Sequence, residues 1–353
     1  MQKWDINQLN IELQKLGISA NLYRNEMIAD WEKVRVAQEY KSVQYLRLTT
    51  DYSLEYFNEN SVEVRDLSLI FYEKLRPIGI WPLFAIKRSD ASISLISSET
   101  INAVLSPIFI SGIPKTRILK LVFNFLNEII KNLNIQFCKL SSNFNTFSYL
   151  DGWEKISLDY CQRIETDFLW YLHLNNEYEV IQKSFRKSYK SLIQKGSNYW
   201  ELEIIDKSNF YEKKWQEFKA LHETVSGRQT RTNSTWDIQR KSILQGNAFL
   251  VYALEPSQVM VGGGFFDFTE DESCYSTGAY VRDKYDIPIS HAIQARAVKE
   301  LVKKKVKWHL LGEVKNVNLD VDVQRKEINI SQFKRGFSSH FVPRISFYLE
   351  KDK

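Results

Sequence analysis

Cysteine is scarce in this sequence and scattered: Cys138, Cys161 and Cys274 lie far apart, with no CxxC pair and no histidine at ligand spacing. That arrangement excludes a disulfide framework and an ordinary zinc site, and it fits free thiols in a reducing compartment. With 13 glycines and 7 prolines in 353 residues, long flexible linkers are excluded as well. No stretch approaches the roughly 18 uninterrupted apolar residues of a membrane span. The opening MQKWDINQLNIELQKLG has no apolar run either, so neither a span nor a signal peptide is expected. The GxSxG elbow, the HExxH pair and the GxxxxGK[ST] loop are all missing, which removes the serine-hydrolase, zinc-protease and P-loop classes. A strong excess of one charge is missing too. The net charge is +5, with the cations mixed among acids, which permits an anionic ligand without the footprint of a nucleic-acid domain. The expectation is a soluble, cytoplasmic protein with no bound metal.

The sequence does have a globular composition, 44% hydrophobic, 14% aromatic and 26% charged. Its length exceeds that of one ordinary core, so two domains are expected, residues 1–177 and 178–353. Residues 1–45 read as helical, with Leu9, Leu13 and Leu16 as a partial apolar stripe. Strands are predicted for VQYLRLTT (43–50), LSLIFYEKL (67–75) and IGIWPLFAIKR (78–88), with Pro77 and Gly79 punctuating a hairpin. A helix over 116–132 then carries Ile118, Leu119, Val122, Leu126, Ile129 and Ile130 towards a sheet, and IQFCKLSS follows as a strand. The second half repeats this grammar. It reads as a helix over 178–195, strand WELEII, helices over 209–224 and 235–245, strands NAFLVYAL, VMVGGGFFDF and SCYSTGAYV, a helix over 290–304, and strand KWHLLGE. Two α+β units with mixed central sheets and similar element order suggest a structural duplication.

The segment LHETVSGRQTRTNSTWDIQRKSILQGNAFLVYAL, followed by VGGGFFDF, STGAYVRDKYDIPISHAIQARAVKEL and KWHLLGE, resembles the second domain of FemAB-like acyltransferases of the GNAT superfamily. SFRKSYKSLIQKG (184–196) is similar to the basic motif that opens that domain, and KEINISQFKRGF (326–337) to its closing FK-x-GF segment. SGRQTR, AYVRDKYDIPISH, LLGEVK and KEINISQFKRGFSSH together are similar to FemAB-like proteins encoded with bacterial surface-sugar pathways, including those that make nonulosonic acids. The resemblance implies tandem GNAT-like domains with the active site in the second. It also implies transfer of an acyl or aminoacyl group to an amine, here of an amino sugar or sugar nucleotide. The implied donor is acyl-CoA, although the loop RDKYDIPIS lacks the glycine-rich pyrophosphate motif that acyl-CoA GNAT enzymes place there. Aminoacyl-tRNA is the other donor of the family, and no long coiled-coil arm that could act as a tRNA handle is visible.

The residues can also be read by their own chemistry. Glu313, at the carboxyl end of WHLLGE, is a candidate base for the attacking amine. His291 follows a turn in which Ser290 or Asp286 can cap the helix near Pro288, and it is a candidate proton relay. The Tyr280 phenol can protonate a leaving group or hold a carbonyl oxygen, with Asp283 beside it. Arg228, Arg231, Lys326 and Lys334 are candidates for binding a carboxylate or phosphate, with His222 and Trp236 completing the substrate site. Gly262, Gly263 and Gly264 within one strand call for a bulge, a close backbone approach or a hairpin exit. Trp81, Phe84, Trp153 and Trp236 suit a cleft wall but suit a core better, and Lys303, Lys304, Lys305 and Lys307 read as a solvated helix end. A non-catalytic binding protein on the same scaffold, or an RNA-binding module, is the alternative.

Overall fold

The computed structural model describes residues 6–113, 115–142, 152–281, 286–316 and 323–350. Two compact units emerge, Met1–Thr166 together with Arg344–Lys353, and Asp167–Pro343. The chain passes from the first to the second within one strand and returns within its last strand.

The first unit runs α1 (Asn7–Gln14), β1 (Ile18–Leu22), α2 (Ile28–Val36), α3 (Arg47–Asn60), β2 (Glu63–Asp66), β3 (Leu69–Glu73), β4 (Arg76–Trp81), β5 (Phe84–Lys87), β6 (Ile93–Ile96), β7 (Ile108–Phe109), α4 (Lys115–Asn132), β8 (Phe137–Ser141), α5 (Gly152–Tyr160) and the start of β9 (Arg163–His173). Its sheets are β1-β3-β4-β7 and β2-β5-β6. Helix α4 buries the predicted stripe, and Phe123 on that face meets Trp153 at 5.3 Å. Trp81, Phe84 and Trp153 are core residues.

Three local expectations fail here. Residues 18–22 leave the helical pattern because Gly17 adopts φ +72°, which ends α1's run. Asn10 then holds the Ala20 backbone through two hydrogen bonds of 2.7 and 2.9 Å, and β1 pairs with β3. Residues 43–50 form a 3₁₀ turn and the start of α3 instead of a strand. The buried Arg47 bonds Asp51 one helical turn on, and Asp66, both at 2.7 Å, and a helix brings the i,i+4 pair onto one face. The hairpin turns at Lys74, φ 55°, while Pro77 and Gly79 lie inside β4.

The second unit continues with the rest of β9, α6 (Tyr178–Ser184), α7 (Lys187–Tyr199), β10 (Glu201–Ile205), α8 (Glu212–Ser226), α9 (Asn233–Gln245), β11 (Ala248–Leu254), β12 (Met260–Phe268), β13 (Glu272–Tyr280), α10 (Ser290–Lys303), β14 (Trp308–Glu313), α11 (Arg325–Arg335) and the start of β15 (His340–Glu350). Its strands lie in the order β10-β11-β12-β13-β14-β9. The helix predicted over 178–195 is two helices, broken where Phe185 turns inward against Phe337 at 4.9 Å. Strands β9 and β15 arise where the hydrophobic pattern assigns no element.

The glycines of β12 let helices close on both faces of this sheet. A Cβ on Gly262 would stand 2.4 Å from Ile289 at the start of α10, and one on Gly263 would stand 2.6 Å from Phe218 of α8. The structure shows the close approach, and Val261 also bulges from β12 opposite β11 just before Gly262. Lys304 pairs with Asp206 and Glu300, and Lys307 with Asp271 at 2.6 Å, so this lysine run is partly tied into the fold.

Candidate active site

Strands β13 and β14 run parallel but pair over only three positions, Glu272↔Trp308, Ser273↔His309 and Cys274↔Leu310. Each then carries one extra residue. Ser276 bulges from β13 opposite β12, and Leu311 from β14 opposite β9. Bulges bend and twist the strands that contain them. The pair splays, and among the described residues no strand partners this edge of β13 beyond Cys274.

A cavity of about 550 Å³ opens in this splay, walled by the far end of β13, residues 286–291 leading into α10, and one face of α11. Helix α10 begins at Ser290, and its N-cap position is Ile289 with no side-chain capping bond. The expected caps, Ser290 and Asp286, therefore do not serve, because Ile289 already has helical φ/ψ and Ser290 is the first helical residue. Uncapped first-turn amides carry the positive end of the helix dipole.

Tyr280 and Tyr275, both on the wall, join their hydroxyls at 2.7 Å. Gly278 between them leaves room for this pair, since a Cβ there would meet the Tyr275 hydroxyl. Lys334 reaches the wall from α11 because residues three apart share a helical face. Ser331, one turn earlier, is buried and accepts hydrogen bonds from Trp170 Nε1 (3.1 Å) and the Lys315 amide (2.9 Å). Lys334 then lies across Gly312, whose φ of +134° and missing Cβ make room for it. It makes no ion pair with a described residue. Burial lowers the pKa of its ammonium, with Cys274 and Glu313 acting in the opposite direction.

His291 also lines the cavity, set among the rings of Tyr189 (4.5 Å) and Phe333 (5.0 Å). Its Nδ1 has no hydrogen-bond partner, and burial pushes the imidazole down to about 4, so it is neutral at physiological pH. Glu313 is not among the wall residues. It ends β14 with its carboxylate 3.0 Å from Lys315.

His222, Arg231 and Trp236 come together elsewhere, on α8 and α9. Arg231 donates to His222 Nε2 at 2.8 Å, which leaves the ring proton on Nδ1. Burial, then the Arg231 charge, pushes His222 down to about 4. Trp236 is core, edge-on to Trp215 at 5.6 Å. Arg228 and Lys326 are exposed. Asp283 lies outside the described residues.

The sequence reading missed Tyr275, Ser276 and Asp267. Ser276 Oγ donates to Asp267 Oδ2 at 2.6 Å, and Ser242 Oγ of α9 donates to Oδ1 at 3.2 Å. Burial pushes the Asp267 carboxyl up to about 6. The one available signal was a lone acid in VGGGFFDF, on the same strand face as Gly263 and Phe265 by alternation. Among the described residues no three His, Cys, Asp or Glu side chains gather as metal ligands would, and no helix is long and apolar enough to cross a membrane.

No family model and no curated protein matches this sequence. Solved structures do. FemX is similar over 94% of this chain and 95% of its own, at 11% identity and TM-score 0.62. The C-terminal domain of a protein assigned as a lysylphosphatidylglycerol synthetase from Agrobacterium fabrum matches over 92% of each chain, at 10% identity and TM-score 0.56. A tandem GNAT protein from the clavulanic acid biosynthesis pathway covers 95% of this chain and 99% of its own, at 9% identity and TM-score 0.51. The chain has the tandem GNAT fold, of the kind seen in FemX.

Proposed function

We propose that this protein is an N-acyltransferase that moves an acyl or aminoacyl group from an activated donor to an amine. The observation that carries this reading is the splay of β13 from β14, because it joins a strand edge that no described strand pairs, a helix N-terminus and proton-bearing side chains around one cavity. The edge of β13 beyond Cys274, which no described strand pairs, suits an extended amide-bearing donor arm and a carbonyl oxygen that becomes negative during attack. Lys334 supplies a positive charge for that oxygen or for a substrate carboxylate. The paired hydroxyls of Tyr275 and Tyr280 can return a proton to the departing group. The acceptor attacks as the neutral amine, held close to the carbonyl carbon by the cavity walls.

At the finer level, the donor is acyl-CoA and the acceptor an amino sugar or sugar nucleotide of surface-glycan synthesis. Acyl-CoA supplies a thioester already activated for attack. The walls fit it in having a strand edge for an amide-bearing arm and an uncapped helix start for a phosphate.

A second reading, with aminoacyl-tRNA as donor, is favoured by one observation. Lys183, Arg186, Lys187, Lys190 and Lys195 are exposed on α6, α7 and their junction, and no acid occurs from Val180 to Tyr199. A phosphate backbone would bind such a face in a salt-dependent manner.

The test is thiol release from a panel of acyl-CoAs with amino sugars and nucleotide-linked amino sugars, run beside transfer from charged tRNA. Amine-dependent thiol release is expected. Transfer from tRNA alone would replace the donor. No turnover in either arm would leave a binding protein built on this scaffold.

A further inference from the structure

Asp267 takes no part in the steps above, yet it is wired to the cavity wall. We propose that Asp267, acting through Ser276, accepts the proton of the attacking amine; this rests on the acyl-transfer reading.

Ser276 is the residue that bulges from β13 just beyond the last position paired with β14. It is exposed and lines the cavity, so its hydroxyl is open to a bound amine. The other side of that hydroxyl is committed to Asp267 at 2.6 Å. Asp267 has only hydroxyl donors, Ser276 and Ser242, and no ion pair with a described residue. A carboxylate held this way is neither neutralised nor well solvated, and its proton affinity rises into the range useful near neutral pH. The other candidates are less suited. Glu313 is already engaged by Lys315, and His222 and His291 are both pushed down to about 4.

The step balances without further reagents. The amine nitrogen forms its bond to the acyl carbon. Its proton passes to Ser276 Oγ as the Ser276 proton passes to Asp267 Oδ2. Collapse then breaks the bond from the acyl carbon to the leaving sulfur or oxygen, which takes a proton from the Tyr275–Tyr280 pair. Asp267 afterwards releases its proton to solvent, and the tyrosine pair regains one.

Asp267 is thus a positioning and proton-accepting residue, and its test needs a readout that a purely structural role would not move. The groups facing it are Ser242 on α9 and Ser276 and Cys274 on β13, with Lys334 beyond Cys274. The Cys274 thiol is pushed up to about 12, so it does not titrate in the working range. In the wild-type protein kcat should rise with pH through an inflection near 6.

Using the donor and amine that support turnover, Asp267→Asn is expected to lower kcat about 100-fold, with donor KM changed by less than about twofold, and to erase the inflection. Ser276→Ala should do the same while leaving Asp267 on Ser242, and it carries the test if Asp267→Asn fails to fold. Ser276→Thr, which restores a hydroxyl, should bring the inflection back. Folded variants that keep the wild-type rate and inflection would overturn this inference alone. Absence of transfer by the wild-type protein with every donor and amine would overturn the acyl-transfer reading and this inference with it.

Discussion

Lys334 shows how much of this site is decided by one side chain. Its burial lowers the ammonium pKa, so the fold works against the charge at this position. A residue kept at such a cost without an ion pair to a described residue is better explained by a ligand than by the fold. Lys334→Met should therefore leave the thermal midpoint unchanged or raise it, while transfer falls about 100-fold if the charge holds the carbonyl oxygen. Calorimetry and the thiol-release assay on one preparation check both halves. A fall in midpoint would make Lys334 structural. Gly312 is its counterpart on β14. Gly312→Ala combines a left-handed φ with a Cβ placed against Lys334, and should cost roughly 1–3 kcal/mol in urea unfolding as well as activity.

At the scale of elements, the contact between α7 and α10 fixes the mouth of the cavity. Gly196 lies so near the turn into α10 that a Cβ would stand 2.3 Å from the Pro288 carbonyl oxygen and 2.9 Å from Ala292 Cβ. Gly196→Ala must push the two helices apart, with an expected loss of roughly 1–3 kcal/mol. Residues 286–291 form one wall, so donor KM should rise more than kcat falls. An unchanged KM in a destabilised variant would separate this contact from the site.

The elements themselves were unevenly legible. Amphipathic α4 announced itself because its periodicity matches its burial, and β11 and β12 because runs with few charges match strands buried along nearly their whole length. The start of α3 reads as a strand because its β-branched and aromatic residues signal one, whereas the buried Arg47 with its partners Asp51 and Asp66 belongs to a helix that local composition does not reveal. Tyr280, His291 and Lys334, which line the cavity, stand out as candidates in the sequence because each sits at the end of a recognisable motif. Asp267 and Ser276 do not. Their meaning depends on a bulge and on the edge where β13 loses its partner, and pairing between strands leaves no mark in local periodicity.

For the molecule as a whole, the titration of its buried imidazoles sets the acid limit of stability. His222 and His291 are pushed down to about 4 and His309 to about 3, in each case chiefly by burial. An unfolded imidazole takes up its proton near 6.5, so between that pH and the folded values the unfolded chain binds protons that the folded chain refuses. The stability from these three groups is fully present above 6.5 and is lost as the pH falls towards 4. Asp267 acts in the opposite sense. Its raised pKa favours the folded state below the ordinary carboxylate range, and that advantage disappears as the pH climbs through about 6. Three groups against one leave a net loss on acidification. His309, the most deeply buried, alone contributes a slope of up to about 1.4 kcal/mol per pH unit. Urea unfolding at steps from pH 7.5 to 4.5 should show the midpoint falling below 6.5. His309→Gln should flatten that fall, and a profile that stays level through this window would place these rings in water rather than in the core.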